Sequence, residues 1–205
     1  MAETEAAPQA VSPSAALRHP GLILGIARFY YDPRGSMRGV LDSAPSEGRL
    51  FAYALIAAAI LLIGRIIEVV TTEPPSDARM DMVSGQIVSM LFFVPLIYYA
   101  FAAAGTGIAR LFGGQGGWQS GRAAFFWAAL VSAPVILITS IAAGALADTA
   151  KVLAVILTQF GQVVFAWALA QCFAEAFGFT RTWAVFAAIA VPIVAIVLGI
   201  WVLQQ

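Results

Sequence analysis

The sequence predicts an all-α integral membrane protein: a bundle of five transmembrane helices preceded by a cytoplasmic amphipathic segment. A span of the hydrocarbon layer needs about 20 mainly apolar residues. Four uncharged stretches meet that length: Met82–Ala109, Ala123–Ala147, Val152–Ala174 and Thr182–Gln205. A fifth stretch, Leu50–Gly64, is shorter and continues past Arg65. Hydrophobic residues make up 61% of the chain and charged residues 11%, whereas soluble domains average roughly 45–50% and roughly 25%.

The chain divides into three zones. Residues 1–16 are rich in Ala, Pro, Ser and Glu, and this composition predicts a disordered tail. Residues 17–49 interleave apolar and basic side chains and predict a cytoplasmic amphipathic or interfacial segment. The remainder, residues 50–205, is the predicted membrane domain, with spans at about 50–67, 84–105, 123–146, 152–174 and 183–203.

The interfacial segment contains a predicted short helix over Gly21–Tyr31, with its apolar side chains on one face. Such a helix is suited to lie in the plane of the lipid headgroups. Three arginines in this segment are candidate contacts with the cytoplasmic membrane surface: Arg28, Arg34 and Arg38. The segment is either a peripheral docking element or a helix that only anchors the chain before the first span.

The distribution of basic residues predicts the orientation. With the N-terminus in the cytoplasm, the inside segments hold 8 arginines, whereas the outside segments hold 3 basic residues, Arg65, Arg79 and Lys151. This asymmetry follows the positive-inside rule. Five spans then put the C-terminus outside, and the first span itself serves as the insertion signal because the acidic N-terminus does not resemble a signal peptide.

Several function classes are excluded by composition and by missing motifs. The formal net charge of zero argues against a nucleic-acid partner. A single cysteine, Cys172, and a single histidine, His19, do not support a metal centre. The chain has no zinc-protease motif, no serine elbow and no paired intramembrane aspartates, and its Gly113–Gly117 run lacks the Lys-Ser/Thr of a phosphate loop. We therefore expect no enzyme, no cofactor and no metal, and we interpret the Gly-rich run as a flexible connector.

Three predicted helices carry a proline near mid-span: Pro95, Pro134 and Pro192. Proline removes a backbone hydrogen bond and clashes with the carbonyl four residues back, so each is expected to kink its helix. Ser132 or Thr139 is a candidate partner for the carbonyl that Pro134 frees. The kinks are either a hinged binding site at mid-bilayer or static features that shape the bundle.

The fourth predicted span carries a stripe of small and amide side chains. At about 100° per residue, these residues lie on one side of the helix: Gln159, Gln162, Ala166, Ala170 and Ala174. Small residues at four-residue spacing allow helices to approach closely, and glutamines can hydrogen-bond across the contact. The stripe is therefore interpreted as a helix-packing seam, within the bundle or between protomers. A solute path along the same stripe is the alternative.

The connector and the following span carry a family resemblance. The run from Phe112 to Trp118, followed by Arg122, Trp127 and Ser132-Ala133-Pro134, resembles the signature region of the Yip1 family. The similarity covers about residues 17–203. Eukaryotic members act in vesicle traffic and contact small GTPases of the Rab type. Their Asp-Leu-Tyr-Gly-Pro stretch is not matched by Tyr30-Tyr31-Asp32-Pro33, so we do not expect a Rab-type partner.

This resemblance implies a five-span, non-enzymatic protein of the bacterial inner (plasma) membrane that organises the membrane or scaffolds partners. Its expected partners are the lipid bilayer and other membrane proteins or further copies of itself. A small transporter or channel subunit, with a polar path along the fourth span, is the competing interpretation.

Overall fold

The computed structural model describes residues 21–72 and 76–189, and within these ranges the regular structure is helical. The helices are α1 (Leu22–Phe29), α2 (Pro33–Asp42), α3 (Glu47–Thr72), α4 (Asp77–Val88), α5 (Val94–Leu111), α6 (Trp118–Leu146) and α7 (Lys151–Phe177). A π-helical turn, Ser89–Phe93, joins α4 to α5, and residues 182–189 are also helical. The predicted tail, residues 1–16, lies outside the described residues, as does most of the predicted span 183–203.

Four helical stretches of the described chain are long and apolar enough to cross a membrane. They are Glu47–Thr71, Asp77–Leu111, Trp118–Leu146 and Lys151–Phe177. The second stretch is continuous through α4, the π turn and α5. Successive stretches run in opposite directions, so α5 ends, α6 begins and α7 ends on the same side of the bundle. We call this side the connector end, because Gly113–Gly117, the connector, lies there.

The helix boundaries follow from local chemistry. The Asp32 carboxylate accepts a hydrogen bond from the Gly35 backbone N–H (2.9 Å), and the proline after Asp32 occupies the first position of α2, where no N–H is needed. The α7 helix ends at Gly178, whose φ of 73° lies in the left-handed region that glycine adopts without strain. The Phe179 N–H then bonds back to Ala174 O (2.8 Å), which closes the helix end.

The α6 helix is the centre of the bundle and packs against α3, α5 and α7. Its residues from Ala123 to Ala133 are all buried. Glycines bring the neighbouring backbones close: a Cβ at Gly121 would overlap Thr106 Oγ1 of α5, and one at Gly161 of α7 would lie 2.8 Å from Thr139 Oγ1. Lipid provides no hydrophobic drive between helices, so close packing of this kind holds the bundle together.

The proline positions have different local surroundings. Pro134 lies inside α6, but neither predicted partner bonds the carbonyl of Leu130, which Pro134 frees. Ser132 Oγ donates to Ala128 O (2.8 Å), and Thr139 Oγ1 donates to the carbonyl three residues before it (3.1 Å). That expectation was wrong because each hydroxyl reaches a carbonyl of its own preceding turn more easily.

Pro95 is the second residue of α5, and Val94 separates it from the π turn. A π turn is a common local response where the regular hydrogen-bond ladder is interrupted. The third proline, Pro192, lies outside the described residues.

Candidate functional site: the docked N-terminal helix pair

The two N-terminal helices, α1 and α2, form a pair that packs on the connector end of α6 and α7. Its two largest anchors, Phe29 and Met37, are fully buried. The Phe29 ring meets Trp167 of α7 edge-on, with centroids 5.6 Å apart. The helix pair is therefore part of the folded bundle.

A polar contact joins three helices at the centre of this docking surface. Ser36 Oγ of α2 donates to Gly25 O of α1 (3.1 Å) and accepts from Trp127 Nε1 of α6 (3.3 Å). All three groups are removed from solvent, so leaving any of them unpaired would be costly. A Cβ on Gly25 would lie 3.2 Å from the Trp127 ring, and this close approach favours glycine there.

Tyr30, at the end of α1, reaches α6 near Pro134. Its hydroxyl donates to the carbonyl of Val131, three residues before Pro134. The carbonyl that Pro134 leaves without its helix donor is that of Leu130, the residue before Val131, so Tyr30 binds beside that gap and does not fill it. Burial raises the pKa of Tyr30, so the hydroxyl remains a donor at neutral pH. The Val131 carbonyl thus provides an acceptor for the helix pair.

Two of the three candidate membrane-contact arginines bind the end of α7. Arg38 forms an ion pair with Glu175 (2.7 Å), whose side chain is only 14% exposed. Hydrogen bonding to Glu175 raises the pKa of Arg38. Arg34 donates to Phe179 O (3.2 Å) and to Thr182 Oγ1 (2.5 Å). Arg28 instead stays half exposed and approaches Asp32 at 3.4 Å.

The connector is packed rather than flexible, in contrast to its interpretation from sequence. Gln115 N donates to Phe177 O at the end of α7 (3.1 Å), and Gly114 N donates to Ala109 O (2.9 Å). A Cβ on Gly116 would lie 2.5 Å from a backbone carbonyl of α7. Glycine is therefore needed here for close backbone approach, a requirement that also explains a Gly-rich run without any phosphate.

The helix pair, the chain from Arg110 to Trp118 that includes the connector, and the end of α7 together form one layer, which we call the platform. Large apolar side chains project from it: Ile23, Leu24, Tyr31, Leu111, Phe112 and Trp118 are exposed. The Arg110 guanidinium lies 5.8 Å above the Trp118 ring. Such a surface can contact lipid headgroups or another protein.

The predicted stripe of small and amide side chains on α7 has a buried part and an exposed part. Ala166, Ala170 and Ala174 are buried, whereas Gln159 and Gln162 are exposed. Neither glutamine lines the cavity of about 320 Å³ beside α7 or the cavity of about 370 Å³ beside the helix pair. The seam interpretation stays a prediction for both groups of residues.

Two acidic side chains that hold the platform together carry no signal in the sequence. Glu175 binds Arg38, and Glu47 at the start of α3 pairs with Arg122 (2.5 Å). Within the described ranges, no three His, Cys, Asp or Glu side chains lie close enough to hold a metal ion.

The apolar helices and their alternating directions define a multi-pass integral membrane protein. The family model of the Yip1 domain matches residues 27–203, so the chain belongs to the Yip1 family. The match begins in α1 and therefore includes most of the N-terminal helix pair. No curated protein and no solved structure matches the chain.

Proposed function

We propose that this protein is a non-enzymatic membrane-organising or partner-scaffolding subunit whose binding surface is the platform. The platform faces the cytoplasm in this proposal, and its partner is another membrane protein or a second copy of the chain. The proposal rests on one observation above all: the helix pair is locked to the ends of α6 and α7 by buried rings, hydrogen bonds and an ion pair.

A surface that is already held in one conformation suits a scaffold, because it does not have to become ordered when a partner binds. Ordering side chains and loops at an interface costs free energy that reduces affinity. Tyr31 and Phe112 project from the platform with 91% and 75% of their surfaces exposed. Aromatic residues of this kind are enriched in the cores of protein interfaces.

The distribution of charge supports a cytoplasmic platform. The described arginines of the connector end are Arg28, Arg34, Arg38, Arg49, Arg110, Arg122 and Arg181. The opposite end carries Arg65, Arg79 and Lys151. Cytoplasmic loops carry such an excess of positive residues.

The transporter interpretation receives less support. A solute path requires polar groups that converge inside the bundle. Gln159 and Gln162 instead lie on the exposed side of α7, and their nearest described buried neighbour along the helix is Gly161. We therefore keep transport as the outcome that would overturn the scaffold role.

Photo-cross-linking tests the proposal. A photoreactive residue at Tyr31 or Phe112 should form protein adducts in native membranes, and Arg34→Gln with Arg38→Gln should reduce them by undocking the helix pair. The matched controls are Phe92 and Phe101, exposed aromatic residues within the spans, which should form mainly lipid adducts.

A flux assay in reconstituted vesicles provides the opposing test. Gln159→Leu with Gln162→Leu should leave both the adducts and the solute permeability unchanged. Solute uptake that this double variant abolishes, together with platform positions that label only lipid, would replace the scaffold role with transport.

A further inference from the structure

A cavity of about 370 Å³ lies between the helix pair and the bundle. Its walls come from α1, α2, α3 and α6, and its volume is within the usual range for small-molecule sites. The apolar part is formed by Leu22, Val40, Tyr53 and Trp127. The polar part is formed by Arg28, Arg49, Ser36 and Ser43.

The two arginines come from different helices and bring positive charge to one cavity. Arg49 donates to Ser43 O (2.9 Å) and to Ser43 Oγ (3.1 Å), and no carboxylate among the described residues lies within 4.0 Å of it. Arg28 has one acidic neighbour within 4.0 Å among the described residues, Asp32, at the long distance of 3.4 Å, and both side chains are about half exposed. Both guanidinium groups therefore keep donors available for an anion.

The depth of the cavity matches the lipid headgroup region. Arg122 and Glu47 pair at the connector end and mark a level at which charge is tolerated. Trp127, on the cavity wall, lies five residues after Arg122 in α6. This separation is about 7.5 Å along the helix axis at a rise of 1.5 Å per residue. Interfacial helices bury their apolar faces to a similar depth, roughly 5–10 Å.

We propose that this cavity binds the phosphate and glycerol of one anionic phospholipid, with Arg28 and Arg49 on the phosphate and the apolar wall against the start of the acyl chains. Arginine is well suited to this role because its planar donors match phosphate oxygens. The proposal rests on the membrane location of the chain and does not depend on the scaffold role. The bound lipid would join α1 and α2 to α3 and α6.

Gly39 allows the cavity to be closed without disturbing its walls. It lies on the cavity-lining side of α2, and a Cβ there would meet nothing within 4 Å. Leucine at this position should therefore fill the space that the lipid would occupy while keeping both arginines.

The test measures lipid binding by the detergent-purified full chain with native mass spectrometry. Dioleoyl phosphatidylglycerol should bind more tightly than dioleoyl phosphatidylcholine, and Arg28→Gln with Arg49→Gln should lower its affinity on the order of tenfold or more. Gly39→Leu should produce a similar loss. The charge-matched control, Arg110→Gln with Arg181→Gln, removes two exposed arginines at the connector end outside the cavity and should bind normally.

Three results would overturn the proposal. Equal affinity for the two lipids is one, and equal loss in the control variant is another, because it would indicate general surface charge. Full competition by sn-glycerol 3-phosphate or inorganic phosphate at millimolar concentration is the third, since the site would then take a soluble phosphate. If the cavity double variant does not fold, unchanged phosphatidylglycerol binding in Gly39→Leu alone refutes the site.

Discussion

Replacement of Gly121 by alanine should destabilise the bundle, although alanine is the better helix former. The added Cβ would overlap Thr106 Oγ1 and would lie 3.0 Å from Thr106 Cβ. Thr106 is fully buried and donates to Ala102 O (2.6 Å), so its side chain has little room to move. Overpacking of this kind costs about 1–3 kcal/mol. Part of that cost is offset by the helix propensity of alanine, about 0.8–1.0 kcal/mol over glycine.

The matched control is Gly107→Ala, on α5 close to the same contact, where a Cβ would meet nothing within 4 Å. Both variants gain the same propensity, so their difference in unfolding free energy isolates the overlap, and Gly121→Ala should be less stable by about 1–3 kcal/mol. Reversible unfolding in detergent micelles measures this difference. Thr106→Ala should partly rescue Gly121→Ala, because it removes the overlapping hydroxyl. Equal stability of the two single variants would refute the packing argument.

Three further predictions concern the helix pair and α7. Ala174→Leu should destabilise the protein by about 1–3 kcal/mol in a thermal unfolding assay because Ala174 is buried, whereas Gln162→Leu should change little; the reverse order would contradict the burial. Tyr30→Phe should cost about 1 kcal/mol by removing the hydrogen bond to the Val131 carbonyl, and Tyr31→Phe, at an exposed site, should be neutral; equal effects would exclude the hydrogen bond. A backbone hydrogen bond lowers the pKa of Asp32, so its stabilisation of α2 is present above its ordinary pKa and is lost as pH falls through the lowered value. Asp32→Asn, which still caps but does not titrate, should remove this acid dependence of α2 amide-exchange protection, and an unchanged dependence would assign it to another group.

The sequence was sufficient to predict the four long apolar helices of the described residues, because their signal is local. Long uncharged runs specify helices in lipid, where each backbone group must be paired within its own segment. The uncharged run from Ala123 to Ala147 lies almost entirely within α6, and the run from Val152 to Ala174 lies within α7. The amphipathic pattern likewise predicted a short helix near Gly21–Tyr31, and α1 occupies Leu22–Phe29 of it.

The docking of the helix pair was not predictable in this way, because it depends on contacts between distant residues. Arg38 and Glu175 are 137 positions apart, and Tyr30 and Val131 are 101 positions apart. No periodicity links such pairs. The sequence around an arginine in an interfacial segment looks the same whether the side chain binds lipid or the end of a helix. Arg34 and Arg38 were therefore interpreted as candidate membrane contacts, and their binding to the end of α7 was not predicted.

The glycines show the same limit. A Gly-rich run between spans indicates a turn, but flexibility and close packing both favour glycine. Only the neighbouring chain distinguishes them, and here the end of α7 lies against Gly114 and Gly116. Pro134 was recognisable from the sequence as a residue that removes one backbone hydrogen bond of its helix, whereas the nearby donor Tyr30 comes from outside the helix.

Impermeant thiol labelling in intact cells tests most directly whether the helix pair and the connector share the cytoplasmic face. Single cysteines would be placed at Asp42, Gln115 and Ser76, which are exposed in the structure, after buried Cys172 is replaced by serine. Ser76 should label in intact cells, whereas Asp42 and Gln115 should label only after the membrane is opened. Labelling of Gln115 in intact cells, with no labelling of Ser76, would reverse the orientation. Labelling of Asp42 and Gln115 from opposite sides of the membrane would contradict the platform itself.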